Sequence, residues 1–365
     1  MGYIGQGMTR DRALSIARLS KHQYYYRSKS AIKPGRRPSE FTKKGKERVT
    51  NEVVTTQMRL IKSDIDTDYG YHRMTTHLKL LGYEINHKKV YRLMGEADLL
   101  KEKKRTSTGK NYVRYRIVAP AEPLSVFEMD IKIVWVTEHR RNAYILTILD
   151  TFTRAVLHWQ VGYQMKESQV RRAWAEVIEH YLQPHDLLRR KIYIEVRNDN
   201  GPQFVAMSLR KFLKENHLNQ VFTHPYTPQE NGHIESFHNI LSNALKMQVF
   251  WSLDELEDRL HRFYHTYNNV RLHGSIANLP PMLFWECWNH QLIERKELEK
   301  KKVRFRLKIP YQQLSGNKNL EGVLCLSGYV DKNEQGKNEE KGPLNSNSTT
   351  FGSKITPRSS FAVSK

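Results

Sequence analysis

The sequence predicts an α/β protein, a mixed sheet with helices on its faces, preceded by helical units and followed by a tail without a core. Three observations carry this. Between residues 119 and 285, alternating apolar runs and helical spacings follow one another in the order βββαβαβα. Before residue 110 the apolar spacing is helical. From about Lys332 the chain turns to Asn, Ser, Gly and Lys with few aromatics, a composition that does not repay its ordering entropy and reads as disordered. The expected domains are 1–47, 48–110, 119–285 and 286–365.

The first two segments are read from caps and periodicity. Thr9 precedes one short helix and Ser20 a second through Tyr26, a pair the size of a helix-turn-helix with Lys21, His22 and Gln23 outward. A basic linker, Lys33 to Lys46, follows. Val53, Val54, Met58 and Ile61 then mark one amphipathic helix. Tyr71, Met74, Leu78 and Leu81 mark another, which stops at Gly82. Asn86 caps a third, with Val90, Leu93 and Met94 inward and Lys88, Lys89 and Arg92 outward. A small helical unit with a basic outer face suits a DNA groove; its bland alternative is an ordinary solvated surface. Lys101 to Lys110 is a second basic linker.

In the next segment Phe127 to Ile133, Tyr144 to Leu149 and Val156 to Val161 read as strands. Val170, Trp174, Val177, Ile178 and Tyr181 trace a helix. Ile192, Ile194 and Val196 give a fourth strand, Leu209 to Leu213 a helix, and Val221 to Thr223 a short fifth strand. Ile234, Phe237, Leu241 and Leu245 mark a further helix. After Leu283 the chain reads as helical and charged through Lys302.

Composition bounds the function. The 365 residues suit two or three domains at about 150 residues each. The two cysteines, Cys287 and Cys325, exclude a disulfide framework and an all-cysteine zinc site. No run of 18 apolar residues is present, and Met1 to Gly7 lack a signal peptide's apolar stretch, so an intracellular protein without a membrane span is expected. Lys+Arg outnumber Asp+Glu by 27 to 11 in residues 1–118, balance at 18 to 19 in 119–290, and lead by 15 to 8 in 291–365. A neutral body between basic ends points to nucleic acid.

Chemistry is therefore sought in the neutral body. Asp130 interrupts an apolar strand, where a carboxylate is costly unless paired or bound to a cation. Asp199 follows the fourth strand, at the end where ligands gather in α/β sheets. Glu235 lies early on the helix beginning near Gly232. Three carboxylates without sulfur suit Mg²⁺ or Mn²⁺. Each alone also fits a bland role as strand-end cap, turn residue or surface glutamate; the case rests on all three together.

The separation of Asp199 and Glu235 by 35 residues resembles the spacing of DDE-type retroviral integrases and transposases. Asp199-Asn200-Gly201-Pro202-Gln203-Phe204 is similar to their second-aspartate motif. His224-Pro225-Tyr226-Thr227-Pro228-Gln229-Glu230-Asn231-Gly232, then Glu235-Ser236-Phe237-His238, resembles the approach to the glutamate. Tyr267-Asn268-Asn269, Arg271, His273 and Pro280-Pro281 resemble the downstream signature, and Tyr69-Gly70-Tyr71-His72-Arg73 and Val90-Tyr91-Arg92-Leu93-Met94 the helix-turn-helix region of insertion-sequence transposases. The likeness runs from residue 10 to about 285.

What the resemblance implies is a ribonuclease H-like core in which Asp130, Asp199 and Glu235 hold two Mg²⁺ or Mn²⁺ ions and cut and join DNA. Implied partners are double-stranded DNA (terminal inverted repeats and target), further copies of the chain, and the element's first-reading-frame protein, in the bacterial cytoplasm on the nucleoid. Asp150 takes a structural turn or capping role, and Asn200 a turn or phosphate-positioning one. His238 is expected to pack or face solvent. The family's lysine seven residues after the glutamate is replaced by Ser242, so that phosphate contact is in doubt or moves to Lys246. The rival readings are a DNA-binding repressor without catalysis and a ribonuclease acting on RNA–DNA hybrid.

Overall fold

The computed structural model describes residues 5–25, 39–101, 120–190, 192–224, 228–298 and 302–314. The linker stretches 33–38 and 102–110 and the tail from Lys332 lie outside these. The chain divides into two compact units, Met1–Phe41 and Thr42–Lys365. In the first, helices Arg10–Ile16 and Lys21–Tyr25 form where expected. Thr9 occupies the N-cap position without a side-chain bond. Ser20 caps in earnest: its Oγ accepts from the Gln23 amide at 3.1 Å while Gln23 Oε1 accepts from the Ser20 amide at 2.8 Å.

From the boundary at Phe41 onward, strands β1 (Phe41–Lys44), β2 (Glu47–Thr50) and β3 (Tyr83–Glu84) form a small sheet of order β2-β1-β3. The sheet joins helices Asn51–Ser63, Tyr71–Leu80 and His87–Glu96. It corrects the reading of Lys33–Lys46 as linker throughout, and shows that a boundary at residue 47 would part β1 from β2. The inward residues are Val54, Met58, Ile61, Met74, Leu78, Val90, Leu93 and Met94, all buried; Val53, expected inward, is exposed. Gly82, at φ +88°, ends the second helix, and Asn86 caps the third by accepting from the Lys89 amide at 2.9 Å.

The main sheet contains β4 (Val126–Val136), β5 (Arg141–Asp150), β6 (Val156–Gly162), β7 (Ile194–Asn198) and β8 (Leu218–Phe222) in the order β6-β5-β4-β7-β8. β4, β5 and β6 pair antiparallel; β4–β7 and β7–β8 pair parallel. The helix Glu167–Val177 packs Val170, Ala173, Trp174 and Val177 with Phe127 and Met129 on one face. On the other, Gly232–Leu245 and Leu253–Asn269 pack with Val136, Ala143, Ile145 and Leu149. β6 is finished by a side chain: the Asn268 amide group accepts from Val156 N at 2.9 Å and donates to Val156 O at 2.8 Å, replacing a neighbouring strand there.

The helix expected through Lys302 is replaced, among the described residues after the helix Pro281–Asn289, by two strands that pair antiparallel, β9 (Ile293–Leu298) and β10 (Lys302–Leu307). The period of two lies in Val303, Phe305, Leu307 and Ile309, alternating with Arg304, Arg306 and Lys308, a pattern that the surrounding charge masks. Phe305, Leu307 and Ile309 pack against a cluster holding both the helices at 54–94 and residues 272–314. A buried ion pair ties the same helical unit to the sheet-covering helix Leu253–Asn269. Arg259 donates from Nη1 and Nη2 to the Asp66 carboxylate at 2.9 and 2.8 Å.

Removing one member leaves the other charge buried and uncompensated. Arg259→Ala should destabilise the unit by about 3–5 kcal/mol, and Arg259→Met with Asp66→Leu by much less; urea unfolding measures both. Burial holds the His77 imidazole down at about 4. The unfolded chain therefore takes up a proton first as pH falls from 6.5 to 4, and on the order of 3 kcal/mol of stability, fully present above pH 6.5, is lost across that window. Unfolding free energies of His77→Leu should vary less with pH there.

Candidate active site

The site lies where β4 and β7 run side by side. β7 pairs with β4 only over Val126–Glu128, so Asp199, one residue past β7, comes alongside Asp130 at the start of β4's unpaired side. Asp130 is half-buried, and Asp199 and Glu235 are exposed. Partial burial and the charge of Asp130 hold the carboxyls of Asp199 and Glu235 above their ordinary range. The three groups thus share one field. Among the described residues, however, no three acidic, imidazole or thiol groups are gathered closely enough to hold a metal ion. One oxygen of Asp199 accepts from the Gly201 amide at 3.0 Å, closing the turn in which a Cβ on residue 201 would lie 2.5 Å from Gln203 Nε2. A cavity of about 530 Å³ opens beside Asp130 and Asp199, walled by Tyr144, Tyr163, Pro202 and Gln203.

The helix carrying Glu235 is fixed by a residue that the sequence analysis passes over. Glu128 points to the same face of β4 as Asp130, two residues earlier. Fully buried, it accepts at Oε2 from the amides of His233 and Ile234 at 3.0 and 2.7 Å. A carboxylate at a helix N-terminus satisfies orphan amides and opposes the helix dipole. Burial pushes the Glu128 carboxyl up to about 7, against the pull of the Ile234 amide and of Arg154 and Arg197. The signal was an acid inside an apolar strand, two residues from another.

His238 was expected to pack or face solvent; it does neither alone. One turn after Glu235, its Nδ1 lies 3.3 Å from Asp130 Oδ2. Asp150 is fully buried and accepts from the Leu124 amide at 3.1 Å and from the Thr153 amide and hydroxyl at 2.8 and 2.6 Å. Asn200 donates to the Thr223 carbonyl at 3.2 Å. Ser242 donates to the His238 carbonyl at 2.6 Å, while Lys246 is exposed at the helix end, about 16 Å along the axis from Glu235. In the helical unit Lys88 is exposed; Arg92 pairs with Glu96 at 3.2 Å, and burial and Arg92 lower the Lys89 ammonium.

Residues 120–228 and 216–281 match the integrase core domain, the stretches that supply this strand order and all three carboxylates, and residues 54–106 match an HTH-like domain. Residues 120–281 are thus matched, end to end, by integrase core domain models. The chain is 28% identical over 217 residues to an uncharacterised protein of insertion element IS476 from Xanthomonas euvesicatoria, covering 59% of this chain and 60% of that one. It is 24% identical to a protein of insertion sequence IS150 from Escherichia coli that carries the name transposase InsK, covering 74% and 92%. Among solved structures it is similar to the HTLV-2 integrase catalytic core domain in complex with magnesium, at 15% identity and TM-score 0.33, over 44% of this chain and 95% of that one. Among the described residues no helix is long and apolar enough to cross a membrane.

In the integrase-core fold described here, Glu128→Gln removes the charge from the helix clamp. Hydrogen exchange at the His233 and Ile234 amides should accelerate by roughly tenfold, about 1.4 kcal/mol of local opening, with distant amides unchanged.

Proposed function

We propose that the chain is a DNA transposase that cuts DNA strands at the ends of an element and joins the freed 3′-hydroxyl to a second phosphodiester. The observation that carries this reading is that Asp130, on a strand, acts on both Asp199, at a strand end, and Glu235, on a helix, each of which it holds above its ordinary range. A divalent ion would draw these like charges closer than they stand without it. The donors are hard oxygens, which fits Mg²⁺ or Mn²⁺, two ions per site. When bound, such ions stabilise charge on the attacking and leaving oxygens of an in-line displacement.

The chain's own groups do the rest. Glu128 sets where the helix starts and so where Glu235 stands, and His238 stands against the Asp130 carboxylate. Asp150 orders the turn before β6 and contributes no reacting group. Asn200 and Gln203 border the path of the DNA. Lys88, Lys89 and Arg92 meet duplex DNA, including the terminal inverted repeats, and Lys246 meets phosphate near the core. Holding two element ends and a target requires a multimer, with the first-reading-frame protein as a further partner.

The test is incubation of labelled duplex from the element ends with Mg²⁺, beside Glu235→Gln and Asp130→Asn. Nicking and strand joining should require the metal and fall at least about a thousandfold in either variant, the loss that some 4 kcal/mol of charge stabilisation represents. Tight binding without cleavage by the wild type, with the first-frame protein added, would instead support a repressor.

A further inference from the structure

The antiparallel pair β9 and β10 has one face that packing uses and one that it does not. Register sets Arg304 directly across from Lys296 and Arg306 across from Glu294, so these four share a face. Phe305 and Leu307 alternate with them and turn the other way, into the apolar cluster. There Phe305 meets Phe152 of the core and Phe284, with ring centres 5.2 and 5.1 Å apart. The Lys308 amide donates to the Leu292 carbonyl at 2.9 Å, and the Tyr311 hydroxyl to the Ala277 carbonyl at 2.7 Å, which pins the chain as it leaves β10.

The outer face carries charge that the packing does not need. Lys296, Arg304, Arg306 and Lys308 are all exposed. Lys308 Nζ donates to the Gln291 carbonyl at 2.7 Å. Among the described residues, no ion pair or hydrogen bond engages the side chains of Lys296, Arg304 and Arg306, and Glu294 is the only acid on their face. The ion pair that these strands do hold, Arg295 with Glu297 at 2.6 Å, lies on the other face. Like charges directly opposite, as Arg304 and Lys296 are, cost stability in an antiparallel pair. Charge that merely guards an open edge would not set two cations face to face. A rigid ribbon with a row of uncompensated cations is a surface for a polyanion.

We infer that Lys296, Arg304 and Arg306, on the outer face of β9 and β10, bind the sugar-phosphate backbone of duplex DNA. The inference rests on the DNA-binding part of the proposed function and extends it to a surface beyond the matched stretches, which end at residue 281. Arg304 and Arg306 stand two residues apart, about 6.7 Å along a strand, so each fork takes a phosphate of its own. The inner face of the same ribbon packs in one cluster with the helices at 54–94, so a duplex lying on it is held in a fixed relation to the helical unit.

The test is a fluorescence-anisotropy titration of the full chain with a labelled duplex of arbitrary sequence between about 50 and 200 mM salt. Each phosphate contact contributes about 0.9 to the slope of log K against log salt, about 3.5-fold in affinity across that range. Arg304→Gln and Arg306→Gln should each lower the slope by that amount, and together by twice it. Arg304→Lys keeps the charge and should keep the slope. Arg295→Gln removes the same charge from the other face and should leave the slope as it is. The thermal midpoint of Arg304→Gln should not fall, because the substitution relieves the opposed pair with Lys296. Equal slopes in the wild type and the double variant, with tight wild-type binding, overturn the surface and leave the DNA reading standing. A drop in Arg295→Gln as large as in Arg304→Gln also overturns it, since net charge rather than this face then sets the slope. Failure of the wild type to bind duplex even at the lowest salt overturns the DNA reading beneath it as well.

Discussion

The arrangement depends on one buried carboxylate. Glu128 has no exposure, and its Oε2 accepts from the amides of His233 and Ile234 in the first turn of the helix Gly232–Leu245. A carboxyl group in a protein interior is tolerated only where its partners are fixed, and fixed partners are what the site requires. If this contact were apolar, the helix could slide along the sheet on Ile234, Phe237 and Leu241, since apolar packing is not directional. With it, the helix has one starting point on β4. Glu235 then stands one turn in and His238 one turn further, on the face that meets Asp130.

The second organising contact is the pair Asp66–Arg259, and it works at a different level. It lies outside the carboxylate site and joins the helical unit to a helix on the sheet. Around it residues 54–94 and 272–314 share one apolar cluster, so the parts that the family matches treat as separate are bound through the segment 272–314. The seam is therefore well placed to relate a DNA-contacting surface to the core, and its polar groups are held in few arrangements.

Much of this was legible in the sequence, and the reasons differ by element. The succession of strands and helices along the chain and the helix faces followed from periodicity, because β5 and the helix Gly232–Leu245 are packed by neighbours that ask for no exceptions. Asn86 and Ser20 were found as caps because their chemistry is local. β9 and β10 were missed although Val303, Phe305, Leu307 and Ile309 alternate, since lysine and arginine between them read equally well as a solvated helix. β1 and β2 were hidden for the same reason, four residues each among lysines. Glu128 and His238 were missed because their roles exist only after β4 and a helix a hundred residues later have met. The positions of Asp130, Asp199 and Glu235 came from spacing and resemblance, not from any property of each residue by itself.

The shared cluster also sets an order of events during synthesis. The helices at 54–94 leave the ribosome early, but Phe284, Phe305, Leu307 and Leu314, which complete their core, are made some 200 residues later. At typical elongation rates of about 5–20 residues per second, that is a wait of roughly 10 to 40 s. Throughout it the nascent helices lack part of their apolar cover. A chain that stopped short of residue 314 would lose more than a tail: its N-terminal helical unit would be left unfinished.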